Sequence, residues 1–492
     1  MPATSSSPTT SPLQPDFARP QHNCLECKRL KRACDKKFPC GKCEKAGRTC
    51  EYRDSGDDGV LGPISAAKDI HSLAFGTLLD IFVNKQGIRE AVSSYFDGVN
   101  TWFTVVERAA FERELESDWD NLRAETSATA LCMALIARPP NQRSSKGMGD
   151  TVYPSTKAIL SLVQSKVPIS TRMLQAELLV AMYEFSHAMP QQAYLTLGRC
   201  LQMTRAMGWH EAAFWSLEKQ MATPADLKLC SILWWAIVYV DCLLNVAYQD
   251  PAVQAYPMNT MGLNLDFPIP APDAIDQFLP ASPLPIAGQN QAFRDANGDQ
   301  MSGIVFPEAV SAWYLFQVLR RLSSPAAQDA ESRRELSNQI FRHMRATGRS
   351  RWRACDRAIG MDLIALMKLH QPHMAGMTAP LAVLVMDPSH VEDATRMRAI
   401  VDVVHGKAGR VAQVEALDRG AVDPSWAFAM CYASQLLISY GCSTLQDPDW
   451  FRKVSDLRAA LERLARRWKI AEEYCRQVAA DLDNRLVAGL VG

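Results

Sequence analysis

The run CLECKRLKRACDKKFPCGKCEKAGRTC, residues 24–50, spaces six cysteines as two copies of C-x2-C-x6-C separated by a five-residue loop that contains Pro39. In each copy the C-x2-C pair turns two thiolates toward one metal, and a third cysteine seven residues on returns to the same ion after a short helix. Three thiolates leave each tetrahedral zinc one ligand short. If the first cysteine of each copy, Cys24 and Cys40, serves both ions, then Cys24, Cys27, Cys34, Cys40, Cys43 and Cys50 supply four sulfurs to each of two Zn²⁺. Two zincs and six thiolates leave a net negative charge, which the ten Lys and Arg between Cys24 and Arg53 offset. A segment of about 30 residues buries too little apolar surface to fold alone, so the metal supplies the folding free energy.

Outward from this run, the chain has 492 residues, 48% hydrophobic and 22% charged, an ordinary globular composition that excludes a collagen, a mucin or a wholly disordered protein. The formal charge is zero but unevenly placed: residues 1–53 hold 11 basic and 5 acidic side chains, which leaves 42 and 48 for the rest. One end is built to meet an anion. The start MPATSSSPTTSPLQP lacks the charged and apolar regions of a secretory signal, and the longest apolar run, Ile232 to Val240, falls short of the roughly 20 residues that span a bilayer. The expected setting is therefore intracellular, without a membrane. The other eight cysteines lie scattered among apolar neighbours and read as reduced core side chains, not a disulfide framework.

Residues 1–21 form a Ser/Thr/Pro-rich tail whose composition predicts disorder. Residues 22–53 are the cysteine module, and 54–70, opening with the Gly- and Asp-rich RDSGDDGVLGP at Arg53 to Pro63, are a flexible linker. From 71 to 490 the pattern is helical. Apolar residues from Arg172 to Met207 recur at three and four spacing, broken at Met189-Pro190, which predicts two antiparallel helices. Thr223-Pro224-Ala225-Asp226 announces another helix, apolar on nearly every face as far as Ala247 and so expected at the centre of a bundle. The Pro-rich stretch 249–311 reads as a loop insertion with a short edge element at Leu263 to Phe267. The predicted fold is a small metal-nucleated module followed by a large all-α domain.

The cysteine spacing, with Pro39 and the closing Cys50-x-Tyr52, resembles the fungal zinc binuclear cluster DNA-binding domain over residues 24–52. The resemblance implies that the helix after the second cysteine enters the major groove and reads a CGG triplet with Lys28, Arg29, Lys31 and Arg32. Base contacts in that family would fall on Leu30 and Lys31; Lys31 can pair with guanine and Leu30 cannot, and Ala33 stands where a basic residue is common. Lys31 is therefore the expected base reader, while Lys36, Lys37, Lys42, Lys45 and Arg48 are phosphate or solvent-facing charges. Phe38 is expected under the cluster.

Further on, AYLTLGRCLQMTRAMGWH at 193–210, the Leu233-Trp234-Trp235 string with Asp241 six residues on, and YFDGVNTWF at 95–103 resemble, in order, segments of the fungal-specific transcription factor domain. Arg residues usual beside the double Trp are replaced here by Lys228, Leu229, Cys230 and Ser231, and by Cys242 after Asp241, so Asp241 is expected to pair with Arg199 or Arg205. Trp234, Trp235 and Asp241 read as core packing around a satisfied carboxylate, with a ligand-sensing pocket as the alternative.

No G-x-S-x-G, G-x-x-x-x-G-K-[ST] or G-x-G-x-x-G occurs; His210-Glu211 lacks a second metal ligand three residues on, where Phe214 stands, and His370 with His373 is a lone H-x-x-H across Pro372. An enzyme is not expected. The resemblance implies a nuclear, sequence-specific transcription factor, an activator by preference, acting on CGG-type sites in double-stranded DNA with the transcription machinery as partner and regulating metabolic or secondary-metabolite genes. The rival is a helical scaffold whose zinc module binds protein, which the module's strong basicity disfavours. Ile64 to Phe75 offers no coiled-coil seam, whereas Leu457, Leu461, Leu464, Trp468, Ala471, Cys475, Val478 and Leu482 alternate by four and three. The apolar, charge-mismatched flanks of that stripe favour a helix docked on its own domain over a homodimer seam.

Overall fold

The computed structural model describes residues 24–50 save 25, 28, 29, 31, 36, 38 and 49; 70–139 save 83, 118, 120 and 121; 152–214 save 212 and 213; and 224–247, 307–322, 330–348, 355–375, 388–411 and 420–491. The chain divides into two compact units, Met1–Asp69 and Ile70–Gly492.

Among its described residues the larger unit holds helices and no strand. Its centre is built from segments apolar all round. Ala124–Ala137 is buried at every position except Glu125, and in Pro224–Ala247 the stretch from Leu233 to Leu244 is buried without a break. Such helices have no solvent face and must be surrounded. Leu229–Ala247, at mean hydropathy 1.8 over 19 residues, has the length and composition to cross a bilayer, beyond what the nine-residue run suggests, but 72% of it is buried inside this unit.

The expected helix pair is Thr171–Ser186 and Pro190–Ala206, which pack on each other, while Thr171–Ser186 also packs on Ala124–Ala137. The break has a specific chemistry. The amide of Ala188 bonds to the Phe185 carbonyl (3.1 Å) and that of Met189 to the Glu184 carbonyl (2.9 Å), closing a Schellman motif with Ala188 at φ 57°, after which Pro190 starts the next helix. The next helix closes the same way through Gly208 and Trp209 on the Arg205 and Thr204 carbonyls (both 3.0 Å), with Gly208 at φ 79°. Farther along, Pro307–Leu322 lies on Cys355–Ala375, and Ser425–Tyr440 packs on both Trp450–Ala465 and Lys469–Val491.

The C-terminal apolar stripe is not one helix. It is split at residues 466–468, where Arg467 is fully buried with its guanidinium on the Ile136 carbonyl. Leu457, Leu461, Leu464, Trp468, Ala471 and Val478 are buried in this unit's own core, with Cys475 and Leu482 half-buried against it. Two successive helices folded onto one core reproduce the heptad spacing without a seam.

Helix Ile70–Phe82 takes in the last residue of the expected linker, and helix Pro307–Leu322 takes in the last five residues of the expected 249–311 loop. The tail, residues 51–69 and Leu263 to Phe267 lie outside the described residues. Of the eight scattered cysteines, Cys132, Cys200, Cys230, Cys242 and Cys431 are buried; Cys442 is exposed and Cys475 intermediate, which corrects the reading of all eight as core, and the Cys355 side chain lies outside the described residues.

Candidate metal centre and nucleic-acid interface

The sixteen-residue duplication in the sequence recurs in the backbone of the smaller unit. The Arg32 amide bonds to the Cys27 carbonyl (2.9 Å), and its counterpart Arg48 bonds to the Cys43 carbonyl (3.0 Å). Cys40 is the extended N-cap residue of the short helix Gly41–Lys45, which carries Cys43 in its first turn and ends before Gly47 at φ 60°. Each half thus directs its C-x2-C pair inward.

Cys24, Cys27, Cys40, Cys43 and Cys50 are buried together and Cys34 packs against them. The contacts cross between halves. Cys24 Sγ lies 3.7 Å from both Cys40 Sγ and Cys43 Sγ, and Cys40 Sγ lies 3.7 Å from Cys27 Sγ. The four sulfurs of Cys24, Cys27, Cys40 and Cys43 fall within 4.8 Å of one another, and a second group joins Cys34, Asp35 and Cys40. Zinc bonds of about 2.3 Å in a tetrahedron set a sulfur–sulfur edge of about 3.8 Å, so the spacing fits the ion.

Burial, reinforced by the Cys24 and Cys40 sulfurs, pushes the Cys27 thiol up to about 12 and raises Cys43 and Cys50 in the same direction. The Cys43 backbone N–H, helped by neighbouring sulfurs, brings Cys40 down to about 6. Crowded thiols resist joint ionisation unless a divalent cation compensates the charge, and metal binding releases their protons.

The Asp35 carboxylate accepts the Gly41 amide at Oδ2 (3.0 Å) and the Lys37 amide at Oδ1 (3.3 Å), which hold it below its ordinary range. Glu26 pairs with Arg48 at 3.1 Å across the halves. The sequence reading assigned neither role, and it placed Arg48 among phosphate or solvent-facing charges. Arg32, Lys42 and Lys45 are exposed; Lys28, Arg29, Lys31, Lys36 and Phe38 lie outside the described residues.

Residues 22–58 match the fungal Zn(2)-Cys(6) binuclear cluster domain, and residues 92–273 match the fungal specific transcription factor domain. The chain thus carries a Zn(2)-Cys(6) binuclear cluster domain followed by a fungal specific transcription factor domain. A relative of this transcription factor is Transcription factor BOA15 of Botryotinia fuckeliana (strain B05.10), 28% identical over 123 residues, which are 25% of this chain and 68% of that one. The cluster domain of such a factor binds two zinc ions, and the protein is a transcription factor, not an enzyme.

In the larger unit Asp241 does not take the expected partner. Arg199 pairs instead with Glu177 at 3.2 Å, and Arg205 is exposed while Asp241 is buried. Among the described residues Asp241 Oδ1 has no hydrogen-bond partner, and burial, opposed in part by the Asn245 side chain, lifts the carboxyl to about 7. Trp234 and Trp235 are buried core residues. His370 contacts Ser337 Oγ through Nε2 (2.9 Å) and Asp393 through Nδ1 (3.0 Å), but all three are buried where three helices meet, with Arg396 on Ser337. That chain fastens helices. The His373 side chain lies outside the described residues, and His210 and Glu211 form a 3.8 Å pair with each other.

Proposed function

We propose that Cys24, Cys27, Cys34, Cys40, Cys43 and Cys50 hold the two zincs with Cys24 and Cys40 shared, and that the factor reads CGG-type half-sites in the major groove of double-stranded DNA. The carrying observation is the crossed sulfur geometry. Cys24, from the first half, stands 3.7 Å from two sulfurs of the second, and Cys40, from the second, stands 3.7 Å from two of the first. A cysteine that serves both ions must sit among ligands of both. Lys28, Arg29, Lys31 and Arg32 form the basic run after the second cysteine, with Lys31 as base reader through guanine O6 and N7. The domain division 1–21, 22–53, 54–70 and 71–490 carries over into this reading, with the cluster as DNA-binding domain and the helical unit regulatory.

The protein acts in the nucleus with the transcription machinery, as an activator of a metabolic, including secondary-metabolite, gene set. Any homodimer is made by the larger unit, and residues 1–70 alone remain monomeric, because 64–75 offers no heptad seam.

Two measurements test this. Native mass spectrometry of the full chain should show two zincs, both lost with Cys24→Ala or Cys40→Ala; a single zinc in the wild type would overturn the ligand set. Lys31→Ala should cost roughly 1–3 kcal/mol on CGG sites and flatten preference at the guanines, whereas Lys42→Ala should weaken all sequences alike and lower the salt slope by about one. Equal loss on cognate and scrambled DNA for Lys31→Ala would place the base contact elsewhere.

A further inference from the structure

Asp35 follows the third cysteine and opens the loop that joins the two halves. Its carboxylate uses both oxygens on separate amides: Oδ1 accepts from Lys37 within the loop, and Oδ2 accepts from Gly41, the first residue of the helix that carries Cys43. A five-residue helix has little cooperative stability of its own, so its entry is set by whatever satisfies its first amides. The contact is also sterically matched, because a Cβ on Gly41 would lie 3.0 Å from Asp35 Oδ2, so glycine is the residue that lets the carboxylate close on this amide.

We infer that Asp35 is a positioning residue of the metal cluster: by clamping the Lys37 and Gly41 amides it fixes the turn from which Cys40 and Cys43 present their sulfurs, and so slows loss of zinc, above all of the ion held by the second half, which takes both of these cysteines while the other takes only Cys40. It acts through the backbone next to those two cysteines. Groups that orient metal ligands change metal affinity by roughly 10–100-fold when removed. The inference rests on the ligand reading proposed above.

The test uses the full-length protein loaded with two zincs, with zinc transfer to a chromogenic chelator followed over time and bound zinc counted by native mass spectrometry. Asp35→Ala should accelerate release of one ion by roughly 10–100-fold and the other much less. Asp35→Asn keeps one acceptor oxygen of the two and should fall between wild type and Ala. Gly41→Ala, which pushes the carboxylate away while leaving Asp35 in place, should give the same asymmetric loss, and the double variant should be no worse than either single one, since both remove one contact. Release of both ions at wild-type rates in Asp35→Ala, equal acceleration of both ions, or additive effects of the two substitutions would each overturn the positioning role. A wild-type protein with fewer than two zincs would instead break the ligand reading, and that is read before any variant is compared.

Discussion

Trp102 donates its indole N–H to the backbone carbonyl of Gly420 at 2.7 Å, across 318 residues of chain. Trp468 donates in the same way to the Val422 carbonyl at 2.8 Å, and the two indole rings meet edge to face with centroids 6.0 Å apart. Buried tryptophans seek a partner for their N–H, and here two of them, one near the start of the larger unit and one near its end, grip a single short segment. The region matched to the transcription factor domain, 92–273, is thereby joined to the C-terminal helices as one core.

Gly420 makes that grip possible. Its φ is 73°, and a Cβ there would lie 3.0 Å from Arg467 Nε and NH2. Gly420→Ala should therefore lose about 1–3 kcal/mol through strain at this one position. Urea unfolding followed by tryptophan fluorescence and by circular dichroism should show coincident, shifted transitions. Separate transitions by the two probes would mean that the segment does not couple the ends.

The paired helix ends make a second, opposite-signed case. Ala188 and Gly208 occupy the same left-handed position in successive Schellman motifs, at φ 57° and 79°. Alanine is strained there and glycine is not, so Ala188→Gly should stabilise by about 0.5–1 kcal/mol and Gly208→Ala should destabilise by a similar amount. The midpoints of denaturant unfolding, measured side by side, should move in opposite directions.

These ends also mark what was legible in the sequence. Met189-Pro190 told where the first helix stops, because proline cannot continue a helix, but nothing in composition distinguishes an alanine at positive φ. The cysteine spacing was readable because ligand geometry fixes it locally. The Asp35 clamp and the Glu26–Arg48 pair were not, since each depends on how the two halves meet. Asp241 was misassigned because the pattern places a carboxylate on a buried helix without saying which base reaches it. Arg199, one helix away, is taken by Glu177. The C-terminal stripe docks on its own domain as its flanks suggested, but as two helices and not one, because alternating four and three spacing is shared by a continuous helix and by two helices folded on one core.

Asp241 sets a pH dependence whose sign follows from its lifted carboxyl, at about 7 in the fold against 3.8 when exposed. The folded state binds the proton more tightly, so its stabilising effect is complete below about pH 4 and is lost as pH rises toward 7. Asp241→Asn should match the wild type near pH 4 and exceed it by roughly 2–4 kcal/mol at pH 8. Glu177, Glu308, Asp362 and Asp423, raised in the same direction by burial, keep a residual slope in the variant. Stability measured by urea at pH 4, 6 and 8 decides it; equal curves for variant and wild type at pH 8 would mean that Asp241 is ionised at no cost.

Leu464 separates a docked helix from a dimer seam. It is fully buried in the larger unit, one turn from Leu461, with Trp468 following across the break, and all three belong to one core. An aspartate placed there would be a charge without a partner in an apolar interior, with a cost of several kcal/mol that rivals the stability of a whole domain. Leu464→Asp should therefore lose helical content and solubility together, whatever the oligomeric state of the wild type. Leu486→Asp, on the following helix, Lys469–Val491, and 48% exposed, should keep its fold. Circular dichroism and sedimentation velocity on the full-length variants check both. If Leu464→Asp instead gave a helical monomer from a wild-type dimer, the buried face would have to open to a second chain. The packing of Ser425–Tyr440 against both C-terminal helices argues against that, because opening would expose Trp426, Tyr432 and Tyr474 as well.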